Sequence, residues 1–278
     1  MSRIDPEGDE LKTWERKYET VYDGNGAIIL RLDGRAFHSW TRCLTRPYDP
    51  RMHELMCRTM LRVAREFHAR YCYTQSDEIS LVLFREGKGE WPFGGRLQKL
   101  VSVSASLAGV TFQRAITDLG IQSKVEAMFD CRAYAVPYKA TAAKVILWRE
   151  ADAIRNSSLG RGQEFLSHKE MQGLSAREVR GRLRIMDKAW GDLPPERKFG
   201  TAYARRVVRR PFRSDEIGAL PPNHKARKDP TLVVERQDYL PVDLPLRWLA
   251  ANPAEVIFNG AEIAPRERAG GEDDEVLT

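Results

Sequence analysis

Two stretches decide how this chain folds: residues 27–35, AIILRLDGR, and residues 71–84, YCYTQSDEISLVLF. In the first, a strand-like apolar run ends at Asp33, and the glycine after it lets a phosphate approach the backbone closely. In the second, Asp77 and Glu78 separate two strand-like runs, so we expect them at the tip of a β-hairpin. Each stretch therefore places a carboxylate where a buried strand stops.

Two carboxylates carried by one sheet form a site for divalent metal ions when the strands that carry them are neighbours. Hard oxygen ligands suit Mg²⁺, which proteins hold through one or two carboxylates together with substrate phosphates. Metal sites of this kind perform nucleotidyl transfer. We therefore predict that Asp33 and Asp77 are catalytic and bind metal, with Glu78 as a further catalytic candidate. The alternative is that they are turn residues, which are common at strand ends.

The apolar spacing around these stretches predicts the order of the elements. It is helical from Met52 to Phe67 and again over residues 97–112, and a strand-like stretch follows at residues 125–136. The resulting order, βαββαβ, is that of a ferredoxin-like fold. We predict an α+β domain in which an antiparallel sheet carries two helices on one face.

The character of the sequence changes after residue 137. We predict a catalytic core over residues 1–137 and a helical, basic and irregular extension, packed on the core, over residues 138–268. Within this extension, residues 214–246 are rich in proline and are predicted to be irregular. Residues 269–278 contain an acidic, glycine-containing run and are predicted to be disordered.

Composition narrows the class of protein. The chain has 278 residues, a formal net charge of +6 and a pI of about 9.2, so an anionic partner is expected. No apolar run approaches the length that spans a bilayer, so no membrane partner is expected. The cysteines have no CxxC spacing, which argues against zinc sites and disulfide frameworks and favours the reducing cytoplasm. They are Cys43, Cys57, Cys72 and Cys131.

Positive charge is concentrated in one segment. Residues 177–213 carry twelve Lys and Arg against four Asp and Glu, a net +8. A solvated helix face is the alternative explanation, but the one-sided excess favours a track for the phosphates of RNA. The predicted RNA contacts in this segment are Arg180, Arg184, Lys188, Arg205, Arg206, Arg209 and Arg210.

The two acidic stretches also carry a resemblance to a known family. Residues 31–38, RLDGRAFH, followed about forty residues later by residues 75–78, QSDE, resemble the tRNA-His guanylyltransferase family and its tRNA-repair relatives, the 3′-to-5′ polymerases. Residues 129–132, FDCR, and 148–152, WREAD, resemble two further blocks of that family. The resemblance covers about residues 15–210.

The resemblance implies a polymerase palm-type domain with two Mg²⁺ ions held by Asp33, Asp77 and the backbone carbonyl of Gly34. It implies tRNA, together with ATP, GTP or other nucleoside triphosphates, as partners, and a homo-tetramer. Ser76, a hydrogen-bonding neighbour of Asp77, joins the predicted nucleotide-binding residues. The resemblance implies that the others are Gly34, Arg35, Phe37, His38, Arg96 and Lys99.

One block departs from the family pattern. The family's His-Ile-Asn-Asn run corresponds to residues 154–157, IRNS, so Ile154 replaces the histidine and Asn156 matches. In the family that histidine is associated with reading the His anticodon. Its absence favours the guanylyltransferase-like branch, which extends or repairs 5′ ends by templated addition. We predict that Arg155 and Asn156 contact RNA.

The predicted function is template-directed 3′-to-5′ nucleotide addition to the 5′ end of tRNA by two-metal transfer, for tRNA repair or for tRNA-His guanylylation. A palm-fold nucleotidyl cyclase is a second hypothesis, because it shares the strand order and the paired acids. A non-catalytic RNA-binding protein with a decayed palm is a third.

Overall fold

The computed structural model describes residues 6–85, 87 and 89–266 of the chain. Within this part, one sheet contains strands β1 to β6. Their bounds are β1 Ala27–Arg35, β2 Tyr71–Gln75, β3 Glu78–Phe84, β4 Met128–Val136, β5 Thr201–Pro211 and β6 Val233–Val242.

Helices precede, connect and follow these strands. Their bounds are α1 Pro6–Lys17, α2 Phe37–Trp40, α3 Pro50–Glu66, α4 Leu97–Asp118, α5 Lys139–Gln163, α6 His168–Met171, α7 Ala176–Ile185, α8 Pro195–Phe199, α9 Ser214–Ala219, α10 Lys225–Lys228, α11 Leu246–Leu249 and α12 Pro253–Asn259, with 3₁₀ turns at Thr41–Cys43, Pro92–Gly95 and Trp190–Asp192. None of the helices in the described ranges is long and apolar enough to cross a membrane.

The strand order of the sheet is β4-β1-β3-β2-β5-β6, and every pairing is antiparallel. From β1 to β4 the strands and the helices α3 and α4 follow the predicted βαββαβ order, so the ferredoxin-like prediction is confirmed. β1 lies directly beside β3, with Asp33 opposite Glu78. Because β1 and β3 are neighbours in the sheet, the two acidic stretches lie close together.

One face of the sheet packs against α3 and α4. The helix α3 begins where the side chain of Asp49 accepts a hydrogen bond from the backbone N–H of Arg51 at 3.0 Å, with a proline at its first position. Alternate residues of β1, including Leu30 and Leu32, point to this face and are fully buried. Burying one such side chain contributes about 1.5–3 kcal/mol, so this layer supplies much of the stability.

The other face of the sheet is covered by α5, α11 and α12. Ala27 and Ile29 of β1 point to it and are fully buried. Because the first four residues of β1 are buried on both faces, residues 27–30 form an unbroken apolar run and not an alternating one. The extension after residue 137 thus supplies the second helical layer, and β5 continues the sheet by pairing with β2. The domain boundary at residue 137 stays a prediction.

The prediction that residues 214–246 are irregular is wrong for much of that range, which contains the short helices α9 and α10 and the strand β6. β6 pairs with β5 along ten positions, from Val233 to Val242. β6 forms the edge of the sheet and most of its residues are exposed or half-buried, so its sequence lacks the apolar alternation that marks a strand. Pro241 is tolerated because an edge strand leaves one row of N–H groups unpaired. The predicted disordered tail, residues 269–278, lies outside the described residues.

Candidate active site

The ends of β1 and the β2–β3 hairpin bring two aspartates together. The backbone N–H of Gly34, next to Asp33, donates a hydrogen bond to the carbonyl oxygen of Asp77 at 3.0 Å. Asp77 lies in the two-residue turn between β2 and β3, where Ser76 adopts a left-handed conformation with φ of 50°. Asp33 and Asp77 are both half-buried. The two carboxylates predicted from the sequence therefore belong to one site.

The charge and the backbone of this site suit a hard cation. Burial raises the pKa of Asp77, and the neighbouring Asp33 carboxylate raises it further. A cation bound between them would relieve this repulsion. A Cβ on Gly34 would stand 2.4 Å from the ring of Phe37, so no larger residue fits beside the aspartates.

The donor set is small. Among the described residues, no group of three or more His, Cys, Asp or Glu side chains is placed to hold a metal ion. Mg²⁺ does not need such a cage, because it commonly keeps water and substrate phosphates in its coordination shell. Asp33, Asp77 and the Gly34 carbonyl therefore fit Mg²⁺ as predicted ligands.

Glu78 lies beside the aspartates but is held by a different partner. The guanidinium of Arg149, on α5, donates from Nε and Nη2 to the two carboxylate oxygens of Glu78 at 2.7 and 2.6 Å. Both side chains are 9% exposed. Because both oxygens are taken, the geometry gives Glu78 the role of fixing α5 against the sheet, and a direct catalytic role stays a prediction.

The predicted nucleotide-binding residues in the loop after Gly34 differ in exposure: two are exposed and one is buried. Arg35 and His38 are exposed on the same end of the sheet as Asp33. Phe37 is 3% exposed, and its ring contacts Phe112 and Phe129 at centroid distances of 5.4 and 5.1 Å. The predicted contact between the Phe37 side chain and a nucleotide is therefore corrected: the ring packs in the core beneath the loop.

The structure does not bring Arg96 and Lys99 to this end of the sheet. They belong to the start of α4, where the carbonyl of Gly95 accepts a hydrogen bond from the N–H of Tyr22, just before β1. The end of α4 that reaches the Asp33 loop is the one that carries Phe112. At 1.5 Å per residue, Arg96 lies on the order of 20 Å from the aspartates. The predicted contact of Arg96 and Lys99 with a nucleotide stays a prediction, and this separation argues against a nucleotide site that they share with the aspartates of the same chain.

A cavity of about 330 Å³ opens beside the Ser76 turn. The loop before α3, the helix α3 and the helices α5 and α8 enclose it. Of its polar and charged lining residues, only Ser76 and Asn156 were predicted from the sequence. The others come from separated loops and helix ends, so no sequence pattern groups them. They include Thr45, Arg46, Tyr48, Asp49, His53, Gln75, Ser157, Glu196 and Arg197.

A second charged group missed by sequence reasoning lies on α5. Asp152 forms an ion pair with Arg149 at 3.2 Å and accepts hydrogen bonds from Arg155 and Asn156. The spacing of three between Arg149 and Asp152 is the available sequence signal, since it places them on one helix face. Arg155 and Asn156 are exposed at the active end of α5, so the structure leaves them accessible to RNA as predicted contacts.

Comparisons with known proteins agree with this geometry. Residues 8–137 match the family model "Thg1: tRNAHis guanylyltransferase". A solved bacterial tRNA(His) guanylyltransferase (Thg1)-like protein in complex with ATP is 31% identical, with a TM-score of 0.67 over 71% of this chain and 87% of that one. This chain belongs to the Thg1 family.

Other relatives extend the match. A bacterial Thg1-like protein in complex with GTP is 25% identical, with a TM-score of 0.65 over 84% of this chain and 91% of that one. The guanylyltransferase of Saccharomyces cerevisiae, 20% identical with a TM-score of 0.61 over 69% and 91%, shares the fold. Uncharacterized protein R259 of Acanthamoeba polyphaga mimivirus is 24% identical over 74% of this chain and 79% of its own length.

Members of the Thg1 family are nucleotidyltransferases, and this chain is an enzyme of that class that adds nucleotides in the manner of the tRNA guanylyltransferases. Thg1-like nucleotidyltransferases generally use Mg²⁺. The ferredoxin-like core with its polymerase palm-type sheet is the architecture shared with these structures.

In this Thg1-family chain the basic segment 177–213 is not one continuous surface. Arg184 and Lys188 are exposed on and after α7, which packs on the end of α5 beyond Arg149. β5 begins beside the hairpin turn and runs away from it, so Arg209 lies at the opposite end of the sheet. The predicted RNA track is therefore corrected to two separate basic regions.

Several of the predicted RNA contacts also have partners within the chain. Arg210 donates to Glu216 at 2.7 and 2.8 Å. Arg206 donates to the carbonyl of Ala261 at 3.1 Å. Arg180 donates to the hydroxyl of Ser158 at 3.0 Å. These contacts reduce the number of cations that face a polyanion.

Proposed function

We propose that this enzyme adds nucleotides in the 3′-to-5′ direction to the 5′ end of tRNA, using an opposing strand as template and ATP or GTP as substrates. The observation that carries the proposal is the hydrogen bond from Gly34 to the carbonyl of Asp77, which holds two aspartates together at the exposed end of a palm-type sheet. Relatives described in complex with ATP and with GTP support the choice of nucleotides.

We assign the metal ligands to Asp33, Asp77 and the Gly34 carbonyl. Two Mg²⁺ ions bound there would stabilise the attacking and leaving oxygens of an in-line displacement. The residues of the chain do the positioning: Arg35 and His38 are exposed beside the aspartates, where cationic and hydrogen-bonding groups can hold a triphosphate. The buried Phe37 ring fixes the loop that carries them.

The cavity beside Ser76 suits the nucleoside part of a substrate. It has a volume of about 330 Å³ and opens next to the aspartate turn. The ring of Tyr48, with the Arg197 guanidinium at 4.6 Å from its centroid, and the polar side chains of Asn156 and Ser157 line its wall. An aromatic ring with a few convergent polar groups is the usual composition of a small-molecule site.

We propose 5′-end repair, and not selective maturation of tRNA-His, as the role. The family's anticodon-associated histidine is replaced by Ile154, which is 5% exposed and packs in an apolar cluster with Trp190 and Phe199. A side chain in that environment does not read RNA. A homo-tetramer acting in the cytoplasm remains part of the proposal, and light scattering measures the number of chains directly.

The proposal is tested by incubating the protein with 5′-truncated and intact tRNAs, Mg²⁺ and labelled nucleotides. The wild type should lengthen truncated tRNA according to the opposing strand, and Asp33→Asn or Asp77→Ala should abolish addition while circular dichroism stays unchanged. Asp118→Asn, at the exposed end of α4, is the matched control. Addition at the wild-type rate by Asp77→Ala would refute the assignment.

The same assay separates the rival functions. A nucleotidyl cyclase would convert nucleoside triphosphate to a cyclic product without RNA. A non-catalytic RNA-binding protein would bind tRNA and leave both the RNA and the nucleotides unchanged.

A further inference from the structure

An exposed tryptophan lies within a basic surface on the outer side of α5. Trp148 is 56% exposed, which is unusual for so large an apolar side chain. With Lys144, Arg247 and Arg266 it lines a depression of about 280 Å³, and these four residues are called the Trp148 surface below. The three cations are exposed, and no Asp or Glu belongs to the described lining.

The indole has a fixed position relative to the active site. The guanidinium of Arg149 lies 4.7 Å from the centroid of the Trp148 ring. The same guanidinium holds Glu78 through two hydrogen bonds, and Glu78 is the cross-strand neighbour of Asp33. Two contacts therefore connect the exposed ring with the strand pair that carries the predicted metal ligand.

Hydrogen bonds hold the segments that carry Arg247 and Arg266 beside α5. The N–H of Arg247 donates to the buried carboxylate of Glu150 at 3.0 Å, which attaches α11 to α5. Arg266 donates from Nη1 to the carbonyl of Arg247 at 2.7 Å, and its own N–H donates to the carbonyl of Leu249 at 3.0 Å. Residues from three separate segments are thus assembled into one surface.

We propose that the Trp148 surface binds an unpaired nucleotide of the RNA substrate. A base stacks on the Trp148 ring, and the phosphates on either side pair with Lys144, Arg247 and Arg266. Aromatic rings among cations are how proteins hold single-stranded nucleic acid, because every base offers a π-face and every linkage a charge. A base within a helix is already stacked and cannot use such a ring.

The position of the surface identifies which unpaired nucleotide this is. A tRNA whose 5′ end lies at the aspartates presents, beside that end, the single-stranded continuation of the opposing 3′ strand. That strand is the occupant we assign. The assignment of RNA rests on the proposed function, whereas the stacking surface itself rests on the contacts of Trp148.

The test measures RNA affinity by fluorescence anisotropy without Mg²⁺ or nucleotides, so that catalysis does not contribute. Two labelled tRNAs are compared, one with its unpaired 3′ nucleotides and one without them. For the first, Trp148→Ala should bind about 5- to 100-fold more weakly than the wild type, whereas Trp148→Phe should keep most of the affinity. Trp14→Ala, which removes a ring that is 59% exposed on α1, is the matched control and should bind as the wild type does.

Two further measurements use the tRNA that lacks unpaired 3′ nucleotides and a variant that removes one cation of the Trp148 surface. The tRNA without unpaired 3′ nucleotides should bind more weakly to the wild type and show no further loss with Trp148→Ala. Lys144→Ala should lower the slope of log affinity against log salt by about 0.7, the value for one contact to a single strand.

Three results would overturn the inference: equal affinities of Trp148→Ala and Trp14→Ala, an equal loss on both RNAs, or an effect of Trp148→Ala on ATP affinity alone, which would assign the surface to a free nucleotide. Failure of the proposed function is distinguishable, because it would appear as unchanged nucleotide addition by Asp77→Ala whatever the RNA affinity.

Discussion

At the scale of single residues, the chain buries one carboxyl group without full compensation. Glu150 is fully buried, and its Oε1 has no hydrogen-bond partner among the described residues. Burial raises the pKa of this carboxyl from 4.5 to about 7. The hydroxyl of Tyr71, also buried without a partner in the described part of the chain, interacts with it electrostatically. The folded state therefore favours the protonated form of Glu150.

This raised pKa sets the sign of a pH dependence. Because the folded state holds the proton more tightly, the contribution of Glu150 to stability is complete below about pH 4.5 and is lost as pH rises to about 7. Glu150→Gln keeps an acceptor for Arg247 and removes the titration. We expect the variant to be more stable than the wild type by up to about 3 kcal/mol at pH 8, and nearly equal at pH 4.5.

Urea denaturation of both proteins at several pH values measures this difference in unfolding free energy. Glu262→Gln, at an exposed position, is the control and should follow the wild type throughout. A stability gap that stays constant with pH would show that Glu150 does not titrate as its burial implies.

At the scale of elements, the ion pair between Arg149 and Glu78 joins α5 to β3. Removing one partner of a buried pair leaves an uncompensated charge, which costs about 3–5 kcal/mol. We expect Arg149→Met and Glu78→Gln each to lower the unfolding free energy substantially, and the double variant to lose much less than the sum. A double-mutant cycle by denaturation gives the coupling energy. Additive losses would mean that the pair does not attach the helix.

The helices and strands also show which parts of the site could be predicted from the sequence and which could not. Asp33 and Asp77 could be predicted because each ends a buried run, and the strand order then determines that they meet. The distance of Arg96 from the aspartates also follows from the strand order: β3 starts at the aspartate turn, so the helix that follows β3 begins at the far end of the sheet. The partnership of Arg149 with Glu78 was not predictable, because it depends on how far α5 slides along the sheet.

At the scale of the whole molecule, the two ends of the sheet carry different sets of candidate functional residues. The aspartates, the cavity beside Ser76, the exposed end of α5 and the helix α7 all lie at one end. Arg209, at the other end, is separated from them by eight residues of β5, on the order of 25 Å. Net positive charge over residues 177–213 therefore describes the composition of the segment and does not define one binding surface.

This separation predicts different effects for two arginines that the sequence alone treats alike. Arg184 is exposed on α7 at the active end, whereas the Arg209 side chain, 76% exposed, lies 3.6 Å from Glu235 at the far end. We expect Arg184→Ser to weaken tRNA binding and to lower the slope of log affinity against log salt by about 0.7–0.9, as the loss of one phosphate contact does. Arg209→Ser should leave both quantities unchanged. Anisotropy titrations at several salt concentrations measure them, and an equal loss of slope in the two variants would mean that the RNA extends along the whole length of β5.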